Sequence, residues 1–157
     1  MSTAADYVGR TVDVLAYQGR YPGREEQLVP ALAAPGNAGK LCAGIQKLAQ
    51  RWILEFLTER GSLGYLPDRG CDFMLLLRQG ELRTTLDAEQ AFYLSAQQVQ
   101  SNLRAEEDIG MPEDEQLDRA ELLSLAVAAD QLTLSVQVHS RAGTSRAALL
   151  PIAVRIN

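Results

Sequence analysis

The sequence predicts an α+β fold, with two main helices packed on a C-terminal antiparallel sheet and an extended N-terminal arm. Residues 40–59 and 87–107 carry apolar side chains every three or four positions, which is the period of an amphipathic helix. Residues 132–138 and 150–156 instead alternate apolar and polar side chains, as half-buried antiparallel strands do, and 120–128 is interpreted as a further strand. Two helices followed by three strands predict helices layered on one sheet.

The 157-residue length is suited to one domain with a single core. Residues 1–39 differ from the rest because Gly and Pro are dense between Gln18 and Asn37, which excludes a long regular element there. We interpret 1–39 as an extended arm, with 12–17 (VDVLAY) as a candidate short strand, and 40–157 as the α+β domain. Such an arm either lies on a neighbouring protein or on the domain surface, or is a partly disordered tail.

The helix predicted at 40–59 has one apolar stripe, and Trp52 within it is expected to be a core residue rather than a ligand-stacking one. Gly61 is expected to end this helix, because glycine adopts the left-handed conformation that follows many helices. The residues of the stripe are Leu41, Ile45, Leu48, Trp52 and Phe56.

The segment 72–78 is either a short helix capped by Asp72 or a buried strand. The second long helix, 87–107, begins with Asp87 and Gln90 at a spacing like that of a capping box. The acidic run 113–115 that follows is expected to be a solvated loop.

Three strands are predicted in the C-terminal third. They span 120–128, 131–139 and 147–156, with a turn at Asp130 and a loop at 141–145. Their order along the chain predicts an antiparallel meander.

Nucleophilic chemistry has few candidates in this chain. His139, the only histidine, ends a predicted strand, and a Cys–His pair would need Cys42 or Cys71. Two cysteines are too few for a disulfide framework or a structural zinc site and favour a reducing compartment. No phosphate loop, Rossmann glycine pattern or metal-ligand spacing occurs, so no cofactor and no metal are expected.

Glycosidase chemistry requires two carboxyl groups about 5–9.5 Å apart, one of them with a raised pKa. Glu55 and Glu59 are four residues apart and off the apolar stripe, so both are expected to be solvated, whereas Asp72 is expected to cap the next segment. The candidate carboxylates are Glu55, Glu59, Asp68 and Asp72. The pattern therefore favours a protein without catalytic residues.

Net charge and hydropathy bear on whether nucleic acid or a membrane is a partner. The formal net charge is −5 with no basic cluster, whereas nucleic-acid binding needs a basic footprint, so no nucleic-acid partner is expected. No apolar run approaches the roughly 20 residues of a membrane span, and residues 1–10 lack the apolar stretch of a signal peptide. We expect a protein made in the cytoplasm with no membrane partner.

The stretch 58–73, TERGSLGYLPDRGCDF, is the most distinctive part of the chain. It contains, in this order, the end of a helix, a Gly-Ser break, a Pro-x-x-Gly-Cys-Asp turn and the start of an apolar run. This order resembles the small baseplate wedge protein of contractile-tailed bacteriophages, also called the sheath initiator or "lysozyme-like" wedge protein. The matching residues are Arg60, Gly61, Ser62, Tyr65, Pro67, Gly70, Cys71, Asp72 and Phe73.

The resemblance covers about residues 40–156. It implies a non-enzymatic virion component of the tail baseplate, present in six copies, that joins the larger wedge subunits to the first ring of the tail sheath protein. Tube and spike hub proteins are further candidate partners, and related contractile injection systems have a homologous part. The alternatives are a peptidoglycan hydrolase acting during penetration and an adaptor without a tail role.

The family also implies two contact regions. A Glu-Pro-Arg motif that docks on wedge subunits is replaced here by Leu117-Asp118-Arg119, so only Arg119 agrees. Sheath subunits share strands, and we hypothesise that 131–139 or 147–156 is the strand at or near an open edge. The residues assigned to this contact are Leu132, Leu134, Val136, Ile152, Val154 and Ile156.

Overall fold

A computed structural model describes residues 10–18, 27–30, 41–128 and 131–153. The elements, in chain order, are β1 (Asp13–Val14), β2 (Tyr17–Gln18), β3 (Gln27–Pro30), β4 (Leu41–Cys42), α1 (Gly44–Leu57), α2 (Phe73–Arg78), α3 (Thr85–Ala105), a 3₁₀ turn (Glu113–Glu115), β5 (Leu117–Ala128), β6 (Gln131–Ser140) and β7 (Ser145–Ala153). The predicted α+β class is confirmed.

The main sheet has the order β2-β3-β7-β6-β5. Its last three strands form the predicted antiparallel meander, with β6 between its two chain neighbours. β3 extends this sheet by pairing parallel to β7, with Gln27 opposite Ala147 and Leu28 opposite Ala148. The sheet therefore includes strands from the arm, and its pairing with β3 was not predicted. The candidate strand 12–17 forms only in part, as β1 and the first residue of β2, and β1 pairs with β4 in a separate two-stranded ribbon.

The core lies between α1, α3 and one face of the sheet. Trp52 is fully buried, as predicted, and its ring stacks on Phe56 with centroids 4.9 Å apart. Alternate residues of β6, from Leu132 to Val138, face this aromatic cluster. Burying such large side chains contributes about 1.5–3 kcal/mol each, so this layer is the main source of stability.

The first helix is shorter than predicted at both ends. Leu41 belongs to β4 and is 46% exposed, because the chain enters α1 through Gly44, whose φ is +62°. This conformation favours glycine, and a β-carbon at Gly44 would lie 2.7 Å from Asp114 Oδ2, so the Asp114 side chain would also have to shift. At the other end α1 stops at Leu57, where Thr58 turns to extended backbone, and Gly61 is not the residue that ends it.

The second long helix begins before the predicted residue. Thr84 is its N-cap, and its hydroxyl accepts a bond from the Asp87 amide at 3.1 Å, while Asp87 Oδ2 accepts one from the Thr84 amide at 2.8 Å. Asp87 is thus the third residue of the capping box rather than its first. The bonds from Thr84 hold the pKa of Asp87 below its usual value.

Residues 73–78 form a helix, which decides between the two alternatives. Asp72 occupies its N-cap position, but its side chain makes no capping bond, so the predicted capping role is wrong. The reason is that other partners, described below, take this carboxylate.

Residues 11–16 of the arm lie against α1. Gln50, 1% exposed, accepts a bond from the Ala16 amide at 2.7 Å and donates to Asp13 Oδ2 and to the Val14 carbonyl. One buried amide therefore satisfies three groups of the arm. β1 and β3 both pair with strands beyond residue 39. The domain boundary placed at that residue stays a prediction.

Replacing Gln50 with leucine should release this part of the arm. The change keeps the volume but removes three hydrogen bonds, so we expect a loss of about 1–3 kcal/mol in the free energy of unfolding and faster tryptic cleavage after Arg10. Chemical denaturation and mass spectrometry of digests measure the two effects. Gln97→Leu, at an exposed position of α3, is the control. Unchanged cleavage after Arg10 would contradict the anchoring role.

Candidate functional site

The turn between α1 and α2, residues 58–72, is closed by backbone hydrogen bonds at its base. The Cys71 amide donates to the Thr58 carbonyl at 2.9 Å, and the Arg60 amide donates to the Cys71 carbonyl at 3.1 Å. Further along, the Gly61 amide bonds to the Pro67 carbonyl at 3.1 Å. The motif residues that the sequence singled out therefore build one closed loop.

Gly70 is where the two ends of this loop approach most closely. Its φ is +89°, and a β-carbon there would lie 2.3 Å from the Thr58 carbonyl oxygen. Gly61 also has a positive φ, +81°, but a β-carbon at that position would have no atom within 4 Å. Ser62 and Pro67 are exposed. Of the motif residues, Gly70 and Cys71 are closely packed in the turn and Asp72 is half-buried.

Glu55 is the buried centre of the turn. Its side chain is 4% exposed, so the expectation that it is solvated is wrong. Oε1 accepts from the Gly70 amide at 2.8 Å and from Asn102 Nδ2 at 2.7 Å. Oε2 accepts from Arg69 Nε at 2.9 Å. The turn folds back over this face of α1 and brings donors to a carboxylate that a lone helix would expose.

Two amide side chains on α3 complete the network. Asn102 also donates to the carbonyls of Asp68 and Gly70. Gln98, one helical turn earlier, accepts from the Asp72 amide at 3.0 Å and donates to Asp72 Oδ2 at 2.8 Å. Sequence reasoning missed both, and the signal available was their i, i+4 spacing, which puts them on one face of the helix.

Asp72 is held from two sides, since Arg60 Nη2 lies 2.7 Å from its Oδ2, the oxygen that also accepts from Gln98. This explains why its carboxylate does not cap α2. Cys71 Sγ donates to the Phe56 carbonyl at 3.1 Å. The turn is thereby tied to both α1 and α3 through its motif residues.

A pocket of about 290 Å³ opens beside this network. It lies where α1, the turn and the end of α3 meet. Arg51 Nη2 donates to Glu106 Oε2 at 2.8 Å, and Arg69 also pairs with Glu106. The lining residues are Arg51, Leu54, Glu55, Thr58, Leu63, Leu66, Arg69 and Glu106.

The candidate carboxylates are not arranged as a free acid and base. Donors already occupy both oxygens of Glu55, while Asp72 is bound by Arg60 and Gln98. Asp68 is exposed in the turn, and Glu59 pairs with Arg78 at 2.6 Å. A glycosidase acid needs an oxygen free to reach the substrate, and Glu55 offers none in this arrangement.

The structure gives no contact between His139 and either cysteine that would form a Cys–His pair among the described residues. Burial raises the pKa of both Cys42 and Cys71 to about 11, which keeps these thiols protonated at neutral pH. His139 lies on the sheet face away from the helices, where its Nε2 is 3.3 Å from Glu121 Oε2. Within the ranges that the structure describes, no group of three acidic, Cys or His side chains could hold a metal ion.

The acidic run is not a solvated loop throughout. Glu115 is 1% exposed and accepts from Lys47 Nζ at 2.7 Å and from the Gly44 amide at 3.0 Å. Asp114 pairs with Arg10 of the arm at 2.7 Å. The 3₁₀ turn therefore joins the arm to the start of α1, because Lys47 supplies a buried counter-charge that no local pattern shows.

The edges of the sheet differ from those expected. β6 is an interior strand, because the meander places it between β5 and β7, so 131–139 is not itself an open edge but lies next to the outer strand. β7 is covered by β3 at Ala147 and Ala148. The side chains of Leu132, Leu134, Val136 and Ile152 are buried in the core. Val154 and Ile156 lie outside the described residues.

β5 is the outer strand on one side of the sheet. α3 covers its start, since Glu107 Oε1 accepts from the Leu117 amide and both Gln100 and Arg104 donate to the Asp118 carbonyl. Beyond Asp118, none of the described residues pairs with its outer side. The register with β6 shifts around Asp118 and Leu123, which divides the edge into 119–122 and 124–128.

Arg119 lies on this outer strand and is exposed. It pairs with Asp118 at 2.8 Å and with Glu121 at 2.7 Å, and the bond to Glu121 is the main cause that raises its pKa. These partners lie within its own strand, so they hold no other element. Its docking role stays a prediction.

These features define a small α+β domain with a buried-carboxylate turn and an outer strand, both of which contact α3. Comparison of the chain with protein-family models, curated proteins and solved structures finds no match. Among the described helices, none combines the length with the apolar composition that a membrane span needs.

Proposed function

We propose that this protein is a structural subunit of a contractile tail baseplate that joins larger wedge subunits to the first ring of the sheath and initiates sheath assembly by strand sharing. The proposal rests on the resemblance of residues 58–73 to the wedge family. The single structural observation that supports it is the outer strand β5, whose residues 124–128 have no described partner on one side.

An outer strand of this kind can bind a partner by β-strand addition. Free backbone N–H and C=O groups of an outer strand pair with an incoming strand whatever its side chains, which suits a repeating lattice. Exposed edges also invite aggregation, and the register shift at Leu123 limits regular pairing to short stretches. The proposed contact is therefore 124–128, in place of the two strands that the sequence favoured.

A pair of proline substitutions at Ala126 and Val127 tests this proposal. In an antiparallel strand, consecutive residues direct their N–H groups alternately to the paired neighbour and to the open side. Both side chains are exposed, so the two variants differ mainly in which N–H is lost. The sheath subunit encoded in the same genome is co-purified with each variant, and thermal unfolding is measured in parallel.

We expect one proline to abolish sheath capture with little effect on stability, and the other to weaken the β5–β6 pairing and lower the melting temperature. Thr85→Pro is the control, because Thr85 is the exposed first residue of α3, a position where the N–H has no helical partner and proline is tolerated. Sheath capture by both edge variants at the wild-type level would refute strand addition at β5. Binding to wedge subunits, with or without tube and spike hub proteins, is measured separately.

The hydrolase alternative has one observation in its favour, the pocket beside Glu55. Release of soluble peptidoglycan fragments by the wild-type protein, abolished by Glu55→Gln in a variant that still folds, would establish it. The baseplate proposal expects no release from either protein.

A further inference from the structure

The pocket beside the turn contains an arrangement that the proposed function does not use. Two arginine side chains, Arg51 from α1 and Arg69 from the turn, converge on one carboxylate, that of Glu106. Guanidinium groups bind carboxylates through paired, charge-assisted hydrogen bonds, so this is a carboxylate-binding geometry that the chain itself now occupies.

Arg69 is fixed in place independently of Glu106. Its Nε and Nη2 lie 2.9 Å and 2.6 Å from Glu55 Oε2, and Glu55 is held in turn by the Gly70 amide and Asn102. The remaining Nη1 is the atom that faces Glu106. The cationic end of the pocket would therefore keep its position if Glu106 left.

Glu106 is the weakly held member of the group. Its side chain is 42% exposed, against 4% for Glu55. It directly follows the last residue of α3, where the helix dipole disfavours a negative charge. Moving its side chain into water opens no gap in the core.

We infer that this pocket binds an acidic side chain of a partner protein segment, and that Glu106 takes its place in the free protein. Charge complementarity carries the inference, because displacement of Glu106 leaves two guanidinium groups, of Arg51 and Arg69, and one carboxylate, that of Glu55, among the described residues that line the pocket. The apolar walls, Leu54, Leu63 and Leu66, fit an apolar residue next to the acidic one. The inference does not depend on the baseplate role or on β5.

The test is a titration of the ¹⁵N-labelled full-length protein with the capped dipeptide acetyl-Glu-Leu-amide. Acetyl-Gln-Leu-amide is the neutral control, and acetyl-leucine carries a terminal carboxylate in place of the side-chain one. The readouts are the Nε–Hε signals of Arg51 and Arg69 and the amide signal of Gly70. Saturable shifts with the Glu peptide and none with the Gln peptide are expected.

Two variants give the direction of the effect. Glu106→Gln removes the internal competitor and should tighten binding of acetyl-Glu-Leu-amide about threefold or more, whereas Arg51→Gln should weaken it by a similar factor. Arg51 is chosen because Arg69 also neutralises buried Glu55. Glu59→Gln and Arg78→Gln, which break a similar ion pair outside the pocket, are the matched controls.

Equal shifts with the Glu and Gln peptides would overturn the inference, as would unchanged affinity in Glu106→Gln. Stronger binding of acetyl-leucine than of acetyl-Glu-Leu-amide would overturn the assignment to a side chain and move it to a chain terminus.

Discussion

Replacing Glu55 with alanine is expected to lower the free energy of unfolding by about 3 kcal/mol, or the melting temperature by about 6–12 °C. The carboxylate is buried and satisfies Arg69, Asn102 and the Gly70 amide together. Its removal leaves a buried N–H without an acceptor and a guanidinium without its main counter-charge, although Arg69, a quarter exposed, recovers part of the loss through water.

Glu59→Ala is the matched control for this prediction. Glu59 follows the same helix and pairs with an arginine at 2.6 Å, but Arg78 is 68% exposed, so the expected loss is below about 1 kcal/mol. Urea denaturation monitored by Trp52 fluorescence, confirmed by calorimetry, compares the two variants. Similar losses for both would mean that Glu55 is no more important than a surface carboxylate.

Replacing Gly70 with alanine should have a comparable or larger effect, a loss of about 3–5 kcal/mol in the free energy of unfolding. The new β-carbon would meet the Thr58 carbonyl oxygen at 2.3 Å, and φ is +89°, so the backbone must move. That movement breaks the bond from the Cys71 amide to Thr58 and displaces the Gly70 amide from Glu55.

Gly61→Ala separates conformational strain from collision. Its φ of +81° is similar, but no atom lies within 4 Å of the added β-carbon, so only a strain of about 1–2 kcal/mol is expected. Amide hydrogen exchange at Cys71 should accelerate in Gly70→Ala and stay slow in Gly61→Ala. Equal destabilisation of the two variants would show that the close approach at Gly70 has no special cost.

The two predictions concern the same turn and bear on both proposals. A well-folded Glu55→Gln variant is needed to attribute any hydrolysis to Glu55, and an ordered turn is needed to hold Arg69 at the pocket. Stability data therefore precede any binding experiment on these variants. The β5 variants change residues 126 and 127, which form none of the hydrogen bonds described for the turn, and are independent of this requirement.

Some features followed from the sequence alone. The apolar stripe around Trp52, the second long helix and the alternating strands 131–139 and 147–156 predicted the α+β class, because side-chain periods of 3.6 and 2 follow directly from helix and strand geometry. The motif glycines also marked the turn. What these patterns specify is which face of an element is apolar, and the core is built from those faces.

Other features were decided only by the tertiary structure. Glu55 is buried because Gly70 and Asn102, which is 47 residues later, bring hydrogen-bond donors to it. Glu115 is buried because it pairs with Lys47, which is 68 residues away in the sequence. No local pattern encodes a partner at such separations. The same holds for the open edge: the sequence predicts three consecutive strands, but only their lateral order leaves β5 outside. Burial of a charged group depends on which distant segment covers it, and this is a property of the assembled fold.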